Sequence, residues 1–206
     1  MDSILVRYKD VTQPITISPL TLFVTNSLGN PIISFPKEED KFIYERVYPD
    51  TSAFFCRRME DRQEVRFWLR NIVGTDLLYS YDDINCTFLQ KILTACITTR
   101  EYYGLIIDHP ELYLSPQDCF NLGEFFTFAL KRNLKLLIHT NSEQLINSLR
   151  SQTYQNNLDT TIYYLNDKLN KIKIDSDGYY NIDGKRCSFP TGFFDVSISA
   201  LMKLGL

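Results

Sequence analysis

Gly104–Pro116, GLIIDHPELYLSP, decides how the chain is read. It begins as a short, fully apolar run, the pattern of a strand buried in a parallel sheet. It then gives Asp108, His109, Pro110 and Glu111, and closes on Ser115-Pro116. Ser115 offers a side-chain cap and Pro116 suits the first helical position, so a helix begins here. The stretch predicts an acid at the end of a buried strand, followed by a loop and a helix.

Working outward, FNLGEFFTFALKRN continues that helix and LKLLIHT is a second apolar strand. Ser142 caps SEQLINSLR, and on the other side FLQKILTACITTREY is helical, so residues 87 to 150 alternate helix, strand, helix, strand, helix. Such alternation predicts an α/β layer with a parallel sheet and right-handed crossovers. EVRFWLRNIV is a further helix that Gly74 can terminate. Before it, ILVRYKDV, ITIS and LTLFVT read as strands broken by Pro14 and Pro19, and residues 36–53, with PKEED and YPDTS, as a polar connection. After residue 150, DTTIYYL, LNKIKID and YYNID read as an antiparallel hairpin or meander, followed by FPTGFFDV and a short helix, SISALMKL.

The 206 residues suit one domain, or one with a small appendage. The 14 Phe and 13 Tyr favour strands and contact surfaces. A net charge of −3 leaves no electrostatic footprint for nucleic acid, so direct nucleic-acid binding by the chain alone is not expected. Arg57, Arg58, Arg62, Arg66 and Arg70 alternate with Glu60, Asp61 and Glu64 and read as a solvated helix face. Five cysteines without a CxxC pair indicate reduced thiols rather than a disulfide framework or zinc ribbon. No apolar run approaches signal-peptide or membrane-span length, so the expectation is a cytoplasmic chain without a membrane segment. His109 and His139 lack a third ligand at zinc-like spacing, and Asp175, Asp177 and Gly178 read as a tight turn rather than a calcium loop.

The run LIIDHPELYLSP, the later LLIHTNSEQLINSLR and the closing PTGFFD, in this order, resemble the ABC-type AAA family of predicted ATPases that ends in the DUF3696 domain. The match runs along nearly the whole chain, and Gly104 to Arg150 is its specific part. The resemblance implies that Asp108 stands where a magnesium-holding acid would be, and His109 where a residue would orient or deprotonate water. Asn141 replaces the switch histidine, and Tyr113 and Ser115 stand where the family carries two histidines.

The phosphate loop of such enzymes needs backbone N–H donors, a lysine for the phosphate oxygens and a hydroxyl for magnesium. Here it corresponds to Thr25, Asn26, Ser27, Leu28, Gly29, Asn30 and Pro31, with Asn30 for the lysine and Pro31 for the Ser/Thr. The signature region corresponds to Asn85, Cys86 and Thr87, with no glycine and with Asp82-Asp83 where an anion would approach. A fixed charge, a metal-ligating hydroxyl and a backbone donor are thus each lost.

The expected fold is α/β: a P-loop NTPase core like an ABC-ATPase head, with a mixed sheet flanked by helices and a small C-terminal antiparallel β element. Residues 1–150 form the core, with the lobe shortened at about 36–80, and 151–206 the DUF3696-like part. The expected function is a catalytically inactive interaction subunit, in a homo- or hetero-oligomer with an active ATPase, nuclease or other effector, as in bacterial anti-phage assemblies. The alternative is a residual magnesium-dependent hydrolase using Asp108, His109 and Glu111, completed in trans by a partner. No cofactor and no resident metal are expected, Asp108 being at most a minor candidate; in the alternative, Asp108 and Glu111 would hold the metal and His109 would act as base.

Overall fold

A computed structural model describes residues 3–25, 31–34, 43–48, 58–76, 87–99, 103–166 and 169–189. The strand ILVRYKDV breaks at Lys9, whose φ of 53° begins a turn, so β1 (Ser3–Tyr8) and β2 (Val11–Thr16) form a hairpin. β3 (Leu20–Thr25) follows, then β4 (Ile32–Ser34), which joins β1 in a three-stranded sheet of order β2-β1-β4.

Residues 36–53 are not all connection, because β5 (Ile43–Val47) lies within them. The polar flanks hid Ile43, Tyr44 and Val47, three residue types with high strand propensity. α1 (Met59–Val73) ends on Gly74 in the left-handed conformation, as its sequence predicts. α2 (Phe88–Thr98) ends on its C-cap Thr99, within the stretch that reads as helical. β6 (Tyr103–Asp108), α3 (Pro116–Leu130), β7 (Lys135–Thr140) and α4 (Glu143–Asn156) follow in the expected order. Ser115 and Asp118 form a reciprocal capping box at the start of α3. β8 (Thr160–Leu165), β9 (Leu169–Ile174), β10 (Tyr180–Ile182) and β11 (Lys185–Cys187) complete the described chain.

The large sheet has the order β11-β10-β9-β8-β3-β7-β6-β5. β8, β3, β7, β6 and β5 are parallel, and β9 to β11 add an antiparallel edge. The architecture is therefore a mixed α/β fold, as expected. β8 belongs to both parts, being parallel to β3 and antiparallel to β9.

Strand alternation builds two cores. Leu20, Leu22, Val24, Leu105, Ile107, Leu136, Ile138, Ile162 and Tyr164 pack against the buried residues of α1 to α4. On the opposite face Phe23, Ile106, Leu137, Tyr163 and Leu165 pack against Ile4, Val6, Tyr8, Ile15 and Ile17 of the small sheet and its exit. Helices thus cover one face and the small sheet the other, which is why the central strands read as unbroken apolar runs. α3 and α4 approach closely at Gly123, where a Cβ would lie 2.2 Å from Ser148 Oγ. That hydroxyl donates to Phe120 O at 2.6 Å.

Candidate functional site

The chain leaves β3 for β5 at the far edge, returns through β6 and β7, and then crosses to β8 on the other side of β3. Open α/β sheets bind ligands outside the carboxyl ends of their strands at such a reversal. Side chains two residues beyond the apolar positions of the small-sheet face share that face. Thr25 follows Phe23, Asp108 follows Ile106, His139 follows Leu137 and Arg46 follows Tyr44, so four adjacent strands align a polar row Arg46, Asp108, His139, Thr25.

The row is internally bonded. Arg46 Nη1 donates to Asp108 Oδ2 at 3.0 Å. Asp108 Oδ1 faces His139 Nδ1 at 3.9 Å, and neither atom has a hydrogen-bond partner among the described residues. His139 Nε2 lies 3.2 Å from Thr25 Oγ1. The Asn141 amide is assigned from the network: with its nitrogen toward Thr25 it donates to Thr25 O at 2.7 Å, Thr140 O at 3.1 Å and Thr25 Oγ1 at 3.0 Å. The Thr25 hydroxyl hydrogen then goes to His139 Nε2, which leaves the ring proton on Nδ1, aimed at Asp108.

A second circuit lies in the loop after β6. His109 N donates to His139 O at 2.8 Å, so the strand ladder runs one residue past Asp108. His109 and Tyr113 both take left-handed φ values, 50° and 68°, and the loop between them turns back on itself. Glu111 Oε1 thereby meets His109 Nδ1 at 3.3 Å and accepts from Asn141 N at 3.0 Å. The His109 and His139 rings lie 4.3 Å apart between centroids.

These contacts set the proton affinities. Burial pushes the Asp108 carboxyl above its usual value, and Arg46 and His109 offset only part of that shift. Burial, with His109 close by, depresses His139 to about 4. The hydrogen bond to Glu111 raises His109 against the effect of burial. Burial also acts to raise Glu111, but His109 and the Asn141 N–H outweigh it and the net shift is downward.

Magnesium, the ion that the resemblance implies, fits this row poorly. One oxygen of Asp108 already carries a guanidinium. A divalent ion about 5 Å from that charge would meet roughly 6–7 kcal/mol of repulsion at an effective dielectric near 20, which offsets part of its attraction to the carboxylate. Among the described residues no group of three or more His, Cys, Asp or Glu side chains is arranged to hold a metal ion.

Of the positions singled out in the sequence, Asp108, His109, Glu111, His139, Thr25 and Asn141 converge here, and Arg46 completes the cluster. Arg46 was missed because it lies in the unrecognised β5, where the alternation of Tyr44 and Arg46 was the available signal. Thr87 is the N-cap of α2 and accepts from Gln90 N at 3.2 Å. Pro31 is buried just before β4. Asn26, Ser27, Leu28, Gly29, Asn30, Asn85 and Cys86 lie outside the described residues, as do most of FPTGFFDV and all of SISALMKL.

The turn at Asp175 is built as its sequence suggests: Asp175 Oδ1 accepts from Asp177 N at 3.1 Å and Tyr179 N at 2.9 Å, and Gly178 has φ 76°. Arg186 pairs with both Asp175 and Asp177. An open cleft of about 300 Å³ separates this turn from α4, but its Arg150 donates to Gly178 O and lies over the Tyr180 ring. On α1, Arg70 pairs with Asp76 at 2.8 Å and Glu64 with Arg132 at 3.8 Å, consistent with a solvated face.

Among the described residues no helix is long and apolar enough to cross a membrane. No family model matches the sequence, and no curated protein matches it. Solved structures with a similar fold include the ADP conformation of MJ1267, an ATP-binding cassette of an ABC transporter, at a TM-score of 0.46 and 10% identity over 86% of this chain and 93% of that one. A nucleotide-free ATP-binding cassette from an ABC transporter gives 0.44 and 11%, over 80% and 88%. The cbiO1 protein of Clostridium perfringens, part of the ABC transporter complex cbiONQ, gives 0.41 and 15%, over 80% and 85%.

Proposed function

We propose that the chain is a catalytically inactive ABC-ATPase-like interaction subunit, assembling with an active ATPase, nuclease or other effector. The observation that carries this reading is the closure of the polar groups at the ends of β3, β6 and β7 onto one another. Thr25 engages His139 and Asn141, and Glu111 engages His109 and Asn141. A phosphate-transfer site needs such groups turned toward a ligand, and here the Thr25 hydroxyl, the Asn141 amide and Glu111 Oε1 are spent on each other and on the two histidines, while Asp108 Oδ1, His139 Nδ1 and Glu111 Oε2 keep no hydrogen-bond partner among the described residues. The sequence changes at Asn30, Pro31 and Asn141 point the same way.

The hydrolase alternative needs His109 as a base, and Glu111, 3.3 Å from its Nδ1, raises its proton affinity. The interaction half of the proposal is supported by Leu112, Tyr113 and Phe120, three exposed apolar side chains within one short segment. Tyr113 is 95% exposed while holding a left-handed backbone, so among the described residues it receives no packing that would offset its strain. The bacterial anti-phage setting comes from the resemblance alone.

The test is native purification of the tagged chain from its own host, with mass measurement of what accompanies it and an ATPase assay of the isolated chain. A P-loop ATPase, nuclease or other effector at fixed stoichiometry, with no turnover by the chain itself, is expected. Turnover that Asp108→Ala abolishes would establish the hydrolase instead.

A further inference from the structure

We infer that Arg46 is a built-in counter-cation for Asp108, a guanidinium from the neighbouring strand that balances the acid in place of a divalent ion and ties β5 to β6 without metal. The register supplies the geometry. Arg46 is the parallel partner of Ile106, two residues before Asp108, so its side chain and the carboxylate share one face. Two residues earlier on β5, Tyr44 lies over Gly104, where a Cβ would be 2.2 Å from its ring. Any side chain larger than hydrogen at 104 would push that ring away, so the glycine fixes where β5 sits.

The guanidinium is also held from a second side. It lies 5.6 Å from the centroid of the Tyr48 ring, a cation–π distance, while Nη1 reaches Asp108 Oδ2 at 3.0 Å. The other carboxylate oxygen faces His139. Arginine suits this role better than lysine because its planar, weakly hydrated cation tolerates partial burial beside an aromatic ring. One oxygen of Asp108 is therefore paired within the chain, and the other faces His139 Nδ1 beyond hydrogen-bond distance. The metal's expected place comes from the resemblance, and the inference stands apart from the interaction-subunit reading, which fails separately if the chain hydrolyses nucleotide.

The experiment is a titration of the intact chain with Mn²⁺ alone, following free ion by electron paramagnetic resonance. It compares wild type, Arg46→Met, Asp108→Asn and the double variant. Wild type and Asp108→Asn should leave Mn²⁺ equally free. Arg46→Met should bind it at least about tenfold more tightly than wild type, because the local positive charge is gone. That gain should vanish in the double variant. Asp108-dependent Mn²⁺ binding by wild type overturns the inference, as does a folded Arg46→Met that binds no better than wild type. If Arg46→Met does not fold, the double variant decides by urea denaturation. Recovery of a cooperative transition supports the pairing, and a double variant as unfolded as Arg46→Met overturns it.

Discussion

Arg46 Nη1 lies 3.0 Å from Asp108 Oδ2, although 62 residues separate the two in sequence. The contact exists because β5 and β6 pair in parallel with Arg46 opposite Ile106. It joins the last residue of the apolar strand to an element whose sequence looks like a polar linker. The acid that gives the chain its resemblance to nucleotide hydrolases is thereby balanced from within.

Breaking that pair should be costly. The Arg46 and Asp108 side chains keep only 22% and 10% of their exposure, so Arg46→Met strands a buried carboxylate. A loss of about 3 kcal/mol is expected, at the low end for a broken buried pair because Arg46 reaches some water. Equilibrium urea denaturation at neutral pH measures it, and a loss below about 0.5 kcal/mol would mean that the pair is only a surface contact.

His139 makes acid stability a second readout. Its folded value near 4 lies below the ordinary 6.5, so the unfolded chain takes up the proton first as pH falls. Its contribution is present above about pH 6.5 and is lost progressively toward pH 4, about 3 kcal/mol in all. His109 works in the opposite sense: its raised value adds stability that is present below pH 6.5 and is lost as pH rises through its folded value. Glu111, with a lowered value, loses its share only below pH 4.5. His139→Gln should therefore flatten the stability curve between pH 6.5 and 4 and leave the steeper acid limb, as read by denaturation across pH.

Gly104→Ala tests how tightly β5 is set. The added methyl would meet Tyr44 Cδ1 and Cε1 at 2.2 Å, so a loss of about 1–3 kcal/mol is expected. Tyr44→Ala in the same chain removes the obstacle, and the double variant should be more stable than the sum of the two single losses by more than about 0.5 kcal/mol. Strict additivity, measured in urea, would show that the ring moves aside at little cost.

Tyr113→Gly separates stability from association. Glycine accepts φ 68° without strain, so thermal unfolding should occur no lower than in wild type. If the exposed ring contacts a partner, the same variant should recover less of that partner in native purification. Unchanged recovery would remove Tyr113 from the interface.

Much of the fold was legible in the sequence because its cues are local. The apolar runs of β6 and β7, the Ser115 and Ser142 caps and the Gly74 stop each declare themselves within a few residues. The site was legible only in part. Asp108, Glu111 and Asn141 stand out beside recognisable elements, but strand order is a non-local property, and Thr25 meets His139 across 114 positions. β5 escaped notice because five residues between two polar, turn-rich stretches carry too little periodicity to outweigh their flanks. The break in ILVRYKDV was hidden for a different reason: Lys9 takes a left-handed φ that its residue type does not advertise.

The most direct measurement is a calorimetric titration of ATP with excess magnesium into the purified chain, followed by phosphate-release assay on the same sample. The account predicts no saturable heat and no turnover above buffer, because the acid is balanced by Arg46 and its neighbours are bonded to one another. Saturable, magnesium-dependent binding that Asp108→Asn abolishes would contradict it.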